Sequence, residues 1–569
     1  MEFNVGVTIE ISFELREQCV KLFEQCDEFS SPERLRNFAG VMELQLVRRC
    51  IPNSDRLDYD LLITKMLMTR RSSLEPALFD LLDALASRYR EDVRGPECAQ
   101  LKEKIREALL RTENHEQAKD YQRLVEISAP GDREGVDGRA AQWIEEAGDS
   151  LDECALRITL AVFHGTTFET IQRAKKDLLG ALQELVPPPP PDPEAPTSTL
   201  PPPHIPLMRR LKQVGAYETD GKHPDWKKVV ELKEPELASE ALIHVWQLYR
   251  EVEWRRKLIE WLTSYAAGHS ADVRTRAAVA AGILAIKDYR FVRENLLKRW
   301  VYADDAEYRT AVGMALGVLA REEDWAAEVQ NLLWTWSKSP IQAERWAAVR
   351  AYIYVGAYCW PVSEVITRWR DIATSELDTV YLQVSEKKVV RLNNPLHMSL
   401  MDAMVRFFVG GAQLPAEKKR PLFAGILEGL KKWIAANEAD AGLGVFMFST
   451  LARLSVGAAG NGEADGAPML LQLASEGPDE TGFRAQLAET FEVAMRNGAT
   501  IIEAQEVLCA WLHWANGLRD NSQLYETHIR ALFDDIIAVD GGGRMRGKLA
   551  ACLRDCGRNR TAQRILSTL

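Results

Sequence analysis

Apolar positions recur along most of this chain at spacings of three and four, the period of a helix with one buried face. The pattern is sharpest from Asp272 to Trp369. Val273, Ala277, Ala280, Ala281 and Leu284 form one stripe, and Tyr308, Val312, Ala315, Leu316 and Leu319 repeat it about 35 positions later. Arg274 corresponds to Arg309 and Gly282 to Gly317. The helix after each stripe repeats as well: Asn295-Leu296-Leu297 before Trp300 returns as Asn331-Leu332-Leu333 before Trp336, and more loosely as Val365-Ile366 before Trp369. The spacing predicts three successive helix pairs. Small residues on the first helix of each pair let axes approach closely, and the Trp covers the seam with a large apolar area.

Other segments read differently. Phe3, Val5, Val7, Ile9 and Ile11 alternate with polar or small neighbours, the period of a half-buried strand, and little else reads so. From Phe13 to about Arg111 the pattern predicts a compact helical bundle, with Ser30-Ser31-Pro32-Glu33 as a capped helix start. A second helical module follows from 113 to 186, with a turn at Ala129-Pro130-Gly131-Asp132 and a helix cap at His164-Gly165-Thr166-Thr167. Residues 187–206 carry five consecutive prolines and then three more, which favours polyproline II and predicts a semi-rigid linker. After a short helix and the turn Asp220-Gly221-Lys222-His223-Pro224, helices run from 207 to 456. Gly429-Leu430-Lys431-Lys432-Trp433 echoes Leu296-Leu297-Lys298-Arg299-Trp300. A flexible loop of small residues is expected at 457–468, and closing helical repeats at 469–569, with Gly541-Gly542-Gly543 as a late hinge.

The paired helices resemble HEAT repeats, with Arg274, Arg309 and Arg345 opening the first helix of each unit and Ala347, Ala348 and Ala351 continuing the third. The third unit departs from the pattern at Ile353, where a glycine would be expected. The N-terminal bundle, residues 1–112, resembles the death-fold-like effector-associated domains of bacterial conflict systems. Phe13-Glu14-Leu15-Arg16, Leu22-Phe23, Leu35-Arg36-Asn37-Phe38 and the run from Leu78 to Leu85 carry that resemblance. It implies an adaptor that pairs with a like domain on an effector, in bacterial defence or signalling. The expected fold is all-α: helical bundles joined by a proline-rich linker to a HEAT-like α-solenoid.

At 569 residues, with 46% hydrophobic positions, the chain has material for several cores. A net charge of −12 disfavours general affinity for nucleic acid. No secretory signal or spanning segment is legible, so a cytoplasmic protein without membrane contact is expected. His-Glu-x-x-His, Gly-x-Ser-x-Gly, nucleotide-loop and Cys-x-x-Cys spacings are missing, so no catalytic residue, cofactor or metal site is assigned. Among the nine cysteines, Cys552 and Cys556 share a helical face, with no second pair or nearby His to complete a metal site, and are read as buried and reduced. Cys359, beside Trp360, reads as a core thiol rather than a nucleophile.

Basic residues beside tryptophans supply the candidate binding surface: Arg255 and Arg256 after Trp254, Lys298 and Arg299 before Trp300, and Arg368 and Arg370 flanking Trp369. On a concave face they would contact phosphates and stack bases. Alternatively each Trp is buried and the basic stems lie over it with their charges in water. The function expected is that of a non-enzymatic scaffold whose bundle recruits an effector and whose solenoid recognises a protein partner or trigger. Nucleic-acid binding is the second reading, and a protease substrate cut in the proline tract or the Gly457 loop the third.

Overall fold

The computed structural model describes residues 13–42, 51, 59, 62, 63, 66, 77–90, 92, 94–102, 105, 121, 123–126, 135–148, 150–185, 207–220, 228–375, 395–412, 414, 416–436, 438–453, 468–475, 480–496, 498, 500–517, 522–540, 543–556 and 559–567. The expected strand at 3–11, the turns at 129–132 and 221–224, the proline tract 187–206, the loop at 457–467 and Gly541-Gly542 lie outside these residues. The protein is all-α, apart from one small hairpin among the described residues. It packs as two units, Met1–Ala311 and Val312–Leu569.

The first unit begins with α1 (Phe13–Glu24), α2 (Pro32–Val41) and α3 (Ala77–Arg88). Ser31 Oγ accepts the amide of Arg34 at 3.2 Å, which caps α2 ahead of its leading proline. Cys19, Phe23, Leu35, Leu62, Leu82 and Ile105 share one core. Phe23 stacks on Phe29 at 4.2 Å between centroids. A carboxylate is enclosed here: Glu28, 6% exposed, takes the Tyr89 hydroxyl at 2.6 Å and the guanidinium of Arg88.

Next come α4 (Val136–Glu145), α5 (Leu151–Phe163) and α6 (Phe168–Gln183). Ser150 caps α5 and Thr167 caps α6, each accepting the amide three residues on. Every residue of α5 from Cys154 to Phe163 is buried, so this helix is enclosed by its neighbours on all sides. Beyond the proline tract lie α7 (Leu207–Gln213), β1 (Ala216–Thr219), β2 (Val229–Leu232), α8 (Leu237–Leu248), α9 (Val252–Tyr265) and α10 (Ala271–Val292). The antiparallel hairpin pairs Ala216 with Leu232, and it was not legible as strand. Val230 also bridges Thr166.

Helices from both sides of the tract pack together: α8 lies on α4 and α5, α9 on α6, and α10 on α5. Phe163 meets Trp261 edge-on at 5.4 Å, the Tyr265 hydroxyl reaches Asp177 at 2.6 Å, and Trp143 donates to the Val214 carbonyl at 2.9 Å. The stretch 113–186 and the chain after the linker therefore pack together, the apolar faces of the two stretches covering each other.

Within α10, Asp288 leaves the helical region (φ −145°, ψ 65°) and its carboxylate accepts the Phe291 amide at 3.3 Å. This cap restarts the helix, which continues through one π turn into α11 (Lys298–Val301). The stripe Val273, Ala277, Ala280, Ala281 and Leu284 is buried, as is Trp300 at the end of the second segment.

The boundary between units falls inside α12 (Ala306–Leu319). The second unit continues with α13 (Glu323–Ser337), α14 (Gln342–Cys359), α15 (Val362–Ser375), α16 (Pro395–Ala412), α17 (Ala416–Ala436) and α18 (Glu438–Arg453). It ends with α19 (Met469–Ser475), α20 (Glu480–Arg496), α21 (Ile501–Gly517), α22 (Ser522–Val539), α23 (Arg544–Asp555) and α24 (Arg560–Leu566). Alternate helices touch: α14 meets α16, α16 meets α18 and α18 meets α21, while α15 meets α17, α17 meets α20 and α20 meets α22. Trp336, Trp369 and Trp433 are buried. Gly313 lies so near α14 that a Cβ there would stand 2.9 Å from Ala351 Cα.

Candidate functional site

Among the described residues of the second unit, one large aromatic residue is unusually open. On α13, Val329, Leu332, Leu333 and Trp336 face inward. Trp334 lies two positions before Trp336, about 200° round the helix from it, and is 47% exposed. The Lys338 ammonium stands 3.5 Å from the centroid of the Trp334 ring and the Arg368 guanidinium 4.5 Å. Arg368 also lies 5.0 Å from the Trp360 ring and is held by Glu364, one turn back on α15. Beneath, Tyr352 is fully buried, meets Trp360 edge-on at 5.3 Å and shares a 2.8 Å hydrogen bond with Ser337. The result is a cation held between two indoles on a rigid base, with one indole half in water.

The six basic candidates have different fates. Arg255 is drawn inside, donating to the Trp246 carbonyl at 2.8 Å and the Tyr249 carbonyl at 3.3 Å and pairing with Asp288 at 2.9 Å. It is a brace, not a surface cation. Arg256 pairs with Glu253, Lys298 with Glu294 and Arg370 with Asp371. Arg299 is exposed. Four of the six belong to the first unit and two, Arg368 and Arg370, to the second. Arg368 joins an aromatic site, but with Trp334 and Trp360; its chain neighbour Trp369 is buried and donates to the Val349 carbonyl at 3.2 Å.

A second polar group is enclosed in the first unit. Gly165, at φ +79°, turns the chain after α5, and its amide donates to the Val230 carbonyl at 2.6 Å. That pairing brings Glu231 to His164 Nδ1 at 3.4 Å and to Arg123 at 3.2 Å. Burial pushes the Glu231 carboxyl up, but the hydrogen bond and charge of His164, with the charges of Arg123 and Arg276, outweigh it and bring it to about 2. Burial pushes His164 down, and Arg276 and Arg123 add to this against the pull of Glu231. The carboxylate is therefore charged. The adjoining cavity, lined by Ala161, Ser239, Arg276 and Ile283, has room for about one water molecule, so this arrangement holds structure rather than a substrate.

The cysteines bring one correction. Cys556 is disulfide-bonded to Cys509 on α21, with Cα atoms 5.8 Å apart, and Cys552 Sγ lies 3.7 Å from Cys509 Sγ. Cys556 is thus not reduced as expected, and its disulfide partner Cys509 lies 47 residues before it, beyond the reach of local spacing. Cys359 is half-buried, and its burial pushes the thiol up, away from a nucleophile's range.

No family model and no curated protein matches the chain. Among solved structures it is similar to a crystal structure of an engineered protein, at 14% identity over 79% of this chain and 97% of that one, with a TM-score of 0.19, too low to bear on fold or function. No helix among the described residues is long and apolar enough to cross a membrane.

Proposed function

We propose that this protein is a non-enzymatic scaffold whose paired helices form a HEAT-like recognition surface for a protein partner, while its N-terminal bundle recruits an effector in bacterial defence or signalling. The observation that carries the reading is Trp334. A half-exposed indole supported by Arg368 and Trp360 has the composition of an interface anchor, where Trp and Arg contribute most. Lys338 beside it suits an acidic or carboxylate-bearing segment of the partner. The bundle's own core, from Cys19 to Ile105, suits it to act as an independent adaptor. A groove for nucleic acid is the weaker reading, since the Trp334 ring already carries two cations that a stacking base would have to displace.

A photo-crosslinking amino acid placed at Trp334 of the full chain tests this. A discrete protein adduct at 334, lost on adding R368E and not seen from exposed Val252, is expected. Equal labelling from both positions would remove the proposal. Binding of labelled single-stranded DNA that weakens steeply with salt and disappears in W334A would favour the nucleic-acid reading instead.

A further inference from the structure

Three cysteines converge where α21 and α23 pack. Cys552 on α23 and Cys556 at its C-cap are one turn apart, so both sulfurs leave the same face. Cys509 faces them from α21, and the three Sγ atoms all lie within 4.8 Å of one another. Cys552 and Cys556 are buried and Cys509 is half-buried. A disulfide accounts for two of these sulfurs and leaves the third without a covalent role beside them. The separation of 3.7 Å between the Cys509 and Cys552 sulfurs matches the edge of about 3.8 Å spanned by two thiolates on a tetrahedral zinc ion with bonds near 2.3 Å.

We propose that the reduced form of this trio binds one thiophilic divalent cation of the zinc class through Cys509, Cys552 and Cys556. A dithiol reductant supplies two electrons and two protons to the Cys509–Cys556 bond and leaves as its own disulfide. Three sulfur–metal bonds then form as the three thiols release their protons. His513, one turn beyond Cys509 on α21, lies outside the set of ligand atoms that stand within 4.8 Å of one another. The fourth position is therefore open to solvent or a small ligand. Oxidised, the trio is a covalent clasp; reduced, it is a metal site.

The test uses the full chain, reduced with a dithiol under anaerobic conditions, freed of reductant and equilibrated with zinc alone. Elemental analysis is expected to find about one ion per chain. Cobalt in its place should give the sulfur-to-metal charge-transfer absorption of a thiolate site. C552S and C509S should each lose stoichiometric binding while retaining the helical circular dichroism of the parent, and C98S should keep it. The proposal is overturned if the reduced protein holds no zinc, or if either C552S or C509S binds as the parent does.

Discussion

Trp261 donates its indole N–H to the carbonyl of Ala174 at 3.0 Å, joining α9 to α6 across the proline tract. Both groups are buried, so the bond is made where water cannot replace it. Trp261→Phe is expected to cost about 1–2 kcal/mol and Trp261→Ala about 3–5 kcal/mol, read from urea unfolding of the full chain.

A cut in the tract should not divide the protein. With a specific protease site introduced near residue 195, the two fragments are expected to co-elute in gel filtration and to separate only in denaturant. The faces of α8 and α9 that cover α4, α5 and α6 are the reason. Separate elution under native conditions would contradict this packing.

Stability should fall in acid through the His164–Glu231 pair. The folded carboxyl stays ionised to about pH 2, whereas its ordinary value is 4.5; its contribution is complete above pH 4.5 and is lost as pH falls toward 2. The full span corresponds to about 3 kcal/mol. His164, which burial lowers from its ordinary 6.5, acts in the same direction from pH 6.5 downward. In E231Q the slope of unfolding free energy against pH should flatten below 4.5. An unchanged slope would show that Glu231 does not set it.

Two glycines should respond oppositely to alanine. At Gly313 the new Cβ would meet Ala351 Cα at 2.9 Å and the Arg350 carbonyl at 3.0 Å, both backbone, so Gly313→Ala should cost about 1–3 kcal/mol. Gly180, on α6, has nothing within 4 Å of that position, and Gly180→Ala should stabilise by up to about 1 kcal/mol through helix propensity. Thermal melts of the two variants provide the comparison.

In the N-terminal bundle, Tyr89→Phe should cost about 2 kcal/mol, because it removes a donor from the buried Glu28 carboxylate. Arg88→Ala should cost less, since Arg88 is 59% exposed and its charge is largely screened. Chemical denaturation monitored in the bundle would rank them.

Helical period and the repeated tryptophans made the all-α class readable, because each depends on neighbours within a few turns. Trp300, Trp336, Trp369 and Trp433 are buried where the pattern put them. The β1–β2 hairpin leaves no local period, because its strands are four residues each and gain their third neighbour from Thr166, far back in the chain. Arg255 read as a surface cation because its partner Asp288 lies 33 positions away. Trp334 did leave a signal: the helical phase that buries Trp336 turns Trp334 outward. Its pairing with Arg368 depends on how α13 meets α15, which no local spacing encodes.

The buried indoles reach back over very unequal stretches of chain. Trp300 donates to Thr263, Trp369 to Val349 and Trp511 to Ala452, with 37, 20 and 59 positions between them. Helix pairs tied in this way are not interchangeable cassettes. A version of the chain without the helix that carries Thr263 or Ala452 would leave the indole of Trp300 or Trp511 facing the wrong neighbour.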